Sequence, residues 1–95
     1  LDTLNGPADG FPPLPAGVTA APWTRDFTAA FADLRQAVEA GHETRLDPYA
    51  AEHPAEFFAV ASETFFTRPS ILREDYPAVY RQLSLFYRQE PLATP

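Results

Sequence analysis

Two carboxylates stand in an unusual setting. Glu56 and Glu63 lie within Ala55-Glu56-Phe57-Phe58-Ala59-Val60-Ala61-Ser62-Glu63-Thr64-Phe65-Phe66, a stretch apolar nearly all round. Such a stretch is expected to form a helix buried on most sides. Seven residues is close to two helical turns, so both carboxylates leave that helix in the same direction. An unpaired carboxylate in a core is costly, and each therefore calls for a cation, a metal ion or strong hydrogen-bond donors. Glu56 also has a purely structural alternative. With His53 as N-cap and Pro54 as the first helical residue, it occupies the capping-box position, where a glutamate accepts from the N–H of the cap. For Glu63 the alternative is a buried ion pair with Arg68 or Arg73. His42 and His53 are the only histidines; two isolated imidazoles do not make a metal site. His42 follows a helix-ending glycine into a solvated loop, and His53 reads as a cap. There is no cysteine, which excludes disulfides and thiolate metal sites.

The elements that must position these groups are helical. A first helix is expected from about Thr24, with Thr24 as cap and Asp26 near the positive N-terminal end. Phe27, Ala30, Phe31, Leu34 and Val38 then fall on one face, and Gly41 is placed to end the helix. The carboxylate-bearing helix follows, preceded by a short turn at Asp47-Pro48. Pro69 to Arg73 reads as a brief helical turn. A last helix runs from about Tyr76 to Arg88, with Asp75 as cap, Pro77 in its first turn and Tyr76, Val79, Tyr80, Leu83, Phe86 and Tyr87 as its apolar stripe. Before all of this, Leu1 to Pro22 carries Asn5-Gly6-Pro7, Asp9-Gly10 and Pro12-Pro13-Leu14-Pro15, signals of an irregular arm. No stretch alternates like a strand. The expected architecture is all-α: one domain over residues 1–95, with 1–22 as arm and 23–95 helical.

Composition narrows the function classes. A chain of 95 residues holds one small domain. Its formal charge is −6, and its seven arginines are dispersed, which argues against a nucleic-acid partner. No apolar run approaches the roughly 18 residues of a membrane span, and no secretory leader is visible. A cytoplasmic location is expected.

Four segments carry a resemblance. Leu1-Asp2-Thr3-Leu4-Asn5-Gly6, Asp47-Pro48-Tyr49-Ala50, Pro54-Ala55-Glu56 through Phe66, and Phe86-Tyr87-Arg88-Gln89-Glu90-Pro91 resemble the Mlc titration factor A family of bacterial zinc peptidases. That family is similar in active-site layout to the catalytic domain of anthrax lethal factor. The resemblance implies the helical C-terminal part of a zincin-like metallopeptidase domain. It places an H-E-F-A-H motif, with two histidine ligands and the general-base glutamate, just upstream of Leu1-Asp2. It makes Glu56 the third zinc ligand, closing a tetrahedron that keeps one position open for water. It puts Tyr49 near the metal, where a phenol donates to a developing oxyanion or protonates the leaving amine. A tyrosine packed where a helix starts is the alternative. Glu63 and Asp2 become candidates to hold ligand imidazoles in place.

Two functional classes follow. In the first, the chain belongs to an enzyme that hydrolyses short peptides from the amino end with metal-activated water, and that also binds a transcriptional repressor. Zinc is expected in the complete protein and not in this chain alone. In the second, the chain is a non-catalytic helical interaction module. An opening Leu1 in place of methionine points to a trimmed or partial chain. Without the metal-binding helix, the apolar face around Glu56 and Glu63 is expected to seek cover in a homo-oligomer or against other parts of the parent.

Overall fold

A computed structural model of the chain describes residues 13–91. Within them the order is α1 (Ala20–Glu39), a 3-10 turn (Pro48–Ala51), α2 (Pro54–Thr67), α3 (Pro69–Asp75) and α4 (Pro77–Tyr87). No strand occurs among the described residues, and the fold is all-α.

The first helix starts earlier than Thr24. Thr19 is the N-cap, with no side-chain cap bond, and Ala20, Ala21 and Pro22 make the first turn. Proline is at home there because its missing N–H would find no helical partner. Thr24 is therefore interior to the helix. Trp23, Phe27, Ala30 and Leu34 form the buried stripe. Gly41 ends the helix as expected: at φ +80, its N–H donates to Val38 O at 3.0 Å while His42 N–H reaches Ala37 O at 2.9 Å, the paired bonds of a Schellman ending.

Every later element begins at a proline in its first turn. Single residues join the last three helices: Arg68 closes α2 and precedes α3, and Tyr76 does the same between α3 and α4. Asp75 does not cap α4. It is the last residue of α3, and its carboxylate takes two bonds from Arg45, Nε to Oδ2 at 3.1 Å and Nη2 to Oδ1 at 2.7 Å. Arg45 also reaches Glu74 at 3.0 Å, pinning the loop before the 3-10 turn to the end of α3.

The core is aromatic. Trp23 stacks on Phe27 at 4.3 Å and meets Phe86 at 5.3 Å. Phe57 presents its edge to Phe27, Phe31 and Tyr76, and Phe65 packs on Tyr80 and Tyr87. Such pairs contribute roughly 0.5–1.5 kcal/mol each beyond area burial. Three polar links cross this core's margin. Tyr87 donates to Ser62 Oγ at 2.9 Å, Tyr76 to Asp33 Oδ2 at 2.8 Å, and Gln82 to Asp26 Oδ2 at 2.9 Å.

The expectation that α2 is buried on most sides is corrected. Only Phe57, Ala61 and Phe65 are buried, at i, i+4 and i+8. Phe58 and Val60 are half-buried, and Phe66 is 49% exposed. With α1 and α4 packed on one side, α2 has a second, outward side that no described residue covers fully.

Candidate metal-ligand face of the second helix

Glu56 is in the first turn of α2, half-buried. The helix start is already served by His53, whose Nδ1 accepts from Ala55 N at 3.1 Å. Among the described residues no side-chain hydrogen bond or ion pair engages Glu56. The capping box is thus not closed, and the carboxylate is uncommitted on a rigid backbone. This favours a role in binding over one in capping.

Glu63 follows two turns on. Glu56, Val60, Glu63 and Thr67 form one longitudinal stripe by helical spacing. Glu63 is exposed, and it forms no ion pair with Arg68 or Arg73. The buried salt bridge considered for it is not made.

Tyr49 is presented from the 3-10 turn. Asp47 Oδ1 accepts from Tyr49 N at 3.0 Å, and the flanking Ala50 and Ala51 are buried. The ring itself is 56% exposed, and its hydroxyl has no hydrogen-bond partner among the described residues. Packing at the helix start does not account for this side chain. Asp2 lies outside the described residues. His42 is exposed beyond α1.

Among the described residues no group of three or more His, Cys, Asp or Glu side chains could hold a metal ion. Glu56 fits as one member of a larger ligand set. It is an oxygen donor, partly withdrawn from water, fixed on a helix and free of competing bonds. A catalytic zinc site needs two further protein ligands.

Several neighbours escaped sequence reasoning. The Arg45 pairings to Glu74 and Asp75 and the Gln82–Asp26 bond join residues 29 to 56 apart in sequence, and no local spacing announces them. Beside the stripe lies a groove of about 430 Å³ between α2 and α3, reaching the loop at Asp47.

Residues 1–88 match the family described as glucose-regulated metallo-peptidase M90. The chain is similar to Mlc titration factor A of Serratia proteamaculans (strain 568), with 45% identity over 96 residues, covering 98% of this chain and 36% of the relative. It is also similar to Mlc titration factor A of Edwardsiella ictaluri (strain 93-146), with 45% identity over 95 residues, and to that of Klebsiella pneumoniae, with 41% over 96. Each alignment takes in nearly all of this chain and 36% of the relative, so the chain spans about a third of their length. With a match over most of its residues, the chain belongs to the glucose-regulated metallo-peptidase M90 family.

Proposed function

We propose that the chain is the C-terminal part of a zinc-dependent peptidase in which Glu56 is a metal ligand. One observation carries the reading: a half-buried glutamate in the first turn of α2 whose carboxylate has no bonding partner among the described residues. A bound zinc supplies Lewis-acid activation of water and of the scissile carbonyl. The chain's own residues do the rest of what falls to this segment. Glu56 would offer its carboxylate to the ion from a helix packed against the 3-10 turn, α3, α4 and α1. Tyr49, exposed with a free hydroxyl, donates to the oxygen on which charge develops. Glu63, on the same stripe, is available to accept the N–H of a ligand imidazole supplied by the rest of the protein. Asp2 is the other residue assigned to hold a ligand imidazole or the helix that carries it.

The substrates in this reading are short peptides cleaved from the amino end, and the protein acts in the cytoplasm. No described helix is long and apolar enough to cross a membrane. The relatives' name, Mlc titration factor A, supports a second property, binding to a repressor of the Mlc type.

The test is metal content. The complete gene product, purified as wild type, Glu56→Gln and Glu52→Gln, is expected to retain zinc in the first and third and to lose most of it in the second. Full zinc occupancy in Glu56→Gln refutes the ligand assignment. A non-catalytic interaction module is the competing reading, and the exposed Phe66 and half-buried Val60 on α2 favour it. It predicts no zinc and no hydrolysis in the complete protein, with loss of self- or partner association when Phe66 is made polar.

A further inference from the structure

We propose that Arg68 is a specificity-determining residue that binds a carboxylate of the peptide substrate, in the groove between α2 and α3. This rests on the reading of Glu56 as part of the catalytic centre. The groove begins one helical turn beyond Glu56, at Val60. It runs past Glu63 and Thr67 to Arg68, with Ile71 of α3 on its far side.

Most of the polar groups around it are already engaged. Arg45 is held by Glu74 and Asp75. Asp47 Oδ1 accepts the Tyr49 N–H. The hydroxyls of Thr64 and Thr67 donate back to Val60 O and Glu63 O of their own helix, each at 2.8 Å. Two charges in the groove have no partner among the described residues, Glu63 and Arg68. The Arg68 backbone is committed, its N–H donating to Thr64 O at 2.7 Å, but its exposed guanidinium is not. A planar guanidinium presents a fork of donors that matches a carboxylate.

The spacing gives a ruler. Arg68 is twelve residues beyond Glu56, roughly 18 Å along the helix axis. An extended peptide covers that in about five residues at roughly 3.3 Å each. With the reach of the Arg68 side chain added, the ligand is a peptide with a carboxylate several residues, on the order of five, from the bond that is cleaved. Glu63 lies between and repels an acidic residue placed closer. The carboxylate has two sources, the free terminus of a short peptide or an Asp or Glu side chain in a longer one.

The experiment uses the complete gene product. Neutral peptides reaching about five residues past the cleaved bond are compared as free acid and as C-terminal amide. Longer amidated peptides carry Asp or Asn at the same position. In the wild type, kcat/KM is expected to favour the carboxylate about 2- to 5-fold, the scale of an exposed ion pair. A preference confined to the first pair identifies the terminus, and one confined to the second identifies the side chain. Arg68→Gln abolishes the preference and Arg68→Lys keeps part of it, with unchanged zinc content and unchanged turnover of a single amino-acid anilide too short to reach Arg68. A wild type without preference, or an Arg68→Gln protein that retains it, overturns the proposal. Anisotropy of the same peptides carrying a dye gives the comparison without turnover. If the zinc-loaded protein cleaves nothing, the peptidase reading fails; carboxylate-dependent binding lost in Arg68→Gln would still support the groove, and its absence would overturn the groove too.

Discussion

Gln82 donates from Nε2 to Asp26 Oδ2 at 2.9 Å, fastening the middle of α4 to α1 across 56 residues of sequence. Gln82 is 6% exposed, a buried polar residue in an otherwise apolar set. Removing its acceptor leaves an amide without a partner in the interior. Asp26→Ala is expected to destabilise the fold by about 1–3 kcal/mol, and Asp26→Asn by less, because its amide oxygen still accepts. Urea unfolding of the three proteins checks the order.

The same bond has a pH signature. Burial raises the Asp26 pKa, but the Gln82 hydrogen bond, Arg25 and Arg81 outweigh it and hold the carboxyl below the ordinary aspartate value. A depressed folded-state pKa contributes stability that is present above the unfolded value of about 3.9 and is lost as pH falls through the folded value. The stability gap between wild type and Asp26→Asn is therefore expected at neutral pH and is expected to shrink as pH falls below the unfolded value. A gap independent of pH would count against this origin.

Arg88 ends α4 in the left-handed region at φ 55, while Gln89 N–H donates to Ser84 O at 3.0 Å. A side chain with a Cβ is disfavoured there by about 1–2 kcal/mol. Arg88→Gly should raise the melting temperature, with a gain of up to about 1 kcal/mol after the added freedom of the unfolded chain is counted. A loss of stability would count against strain at Arg88.

His53 is an unusual cap, accepting with a ring nitrogen. His53→Ala should cost about 1 kcal/mol, and His53→Asp should recover it, since aspartate both caps and suits the positive end of a helix. Thermal unfolding at neutral pH distinguishes them. In the complete protein, His53→Asp should leave zinc content unchanged. Tyr49→Phe should also retain zinc while lowering turnover roughly 10²-fold, the scale of a lost oxyanion donor.

The 95-residue chain alone should show no tight stoichiometric zinc binding in calorimetry, because its described residues assemble no ligand cluster. Its outward α2 face, with Phe66 49% exposed, should drive self-association, since each large apolar side chain left in water forfeits roughly 1.5–3 kcal/mol. Phe66→Glu should return it to a monomer in sedimentation. A wild-type monomer at all concentrations would show that the face needs no cover.

The parts of this fold that were legible are those with local causes. Pro54 and His53 mark the start of α2, Gly41 the end of α1, and the stripe of α4 follows from its spacing. The start of α1 is not legible, because Ala20-Ala21 carries no signal and Pro22 looks like a stop while it is tolerated in a first turn. Asp75 reads as a cap in sequence because nothing near it predicts Arg45, 30 residues away. The burial of α2 was overstated for a related reason. Composition shows that a helix is apolar all round but not which neighbours the chain supplies. The uncommitted state of Glu56 needed the structure, since the capping box and a binding role share one sequence.

Arg68 and Tyr76 are the whole of the connections between α2, α3 and α4, and this constrains length as strictly as composition. A residue added or removed within α2, α3 or α4 turns everything beyond it by about 100°. Phe65 would leave Tyr80, Gln82 would leave Asp26, and Tyr87 would leave Ser62. No slack segment stands between the helices to absorb the change. The stretch from Pro54 to Tyr87 therefore behaves as a single gauge block, in which substitutions are graded and insertions or deletions are all-or-none. The loop from His42 to Asp47, tied down chiefly through Arg45 and Leu46, is where a change of length can be accommodated.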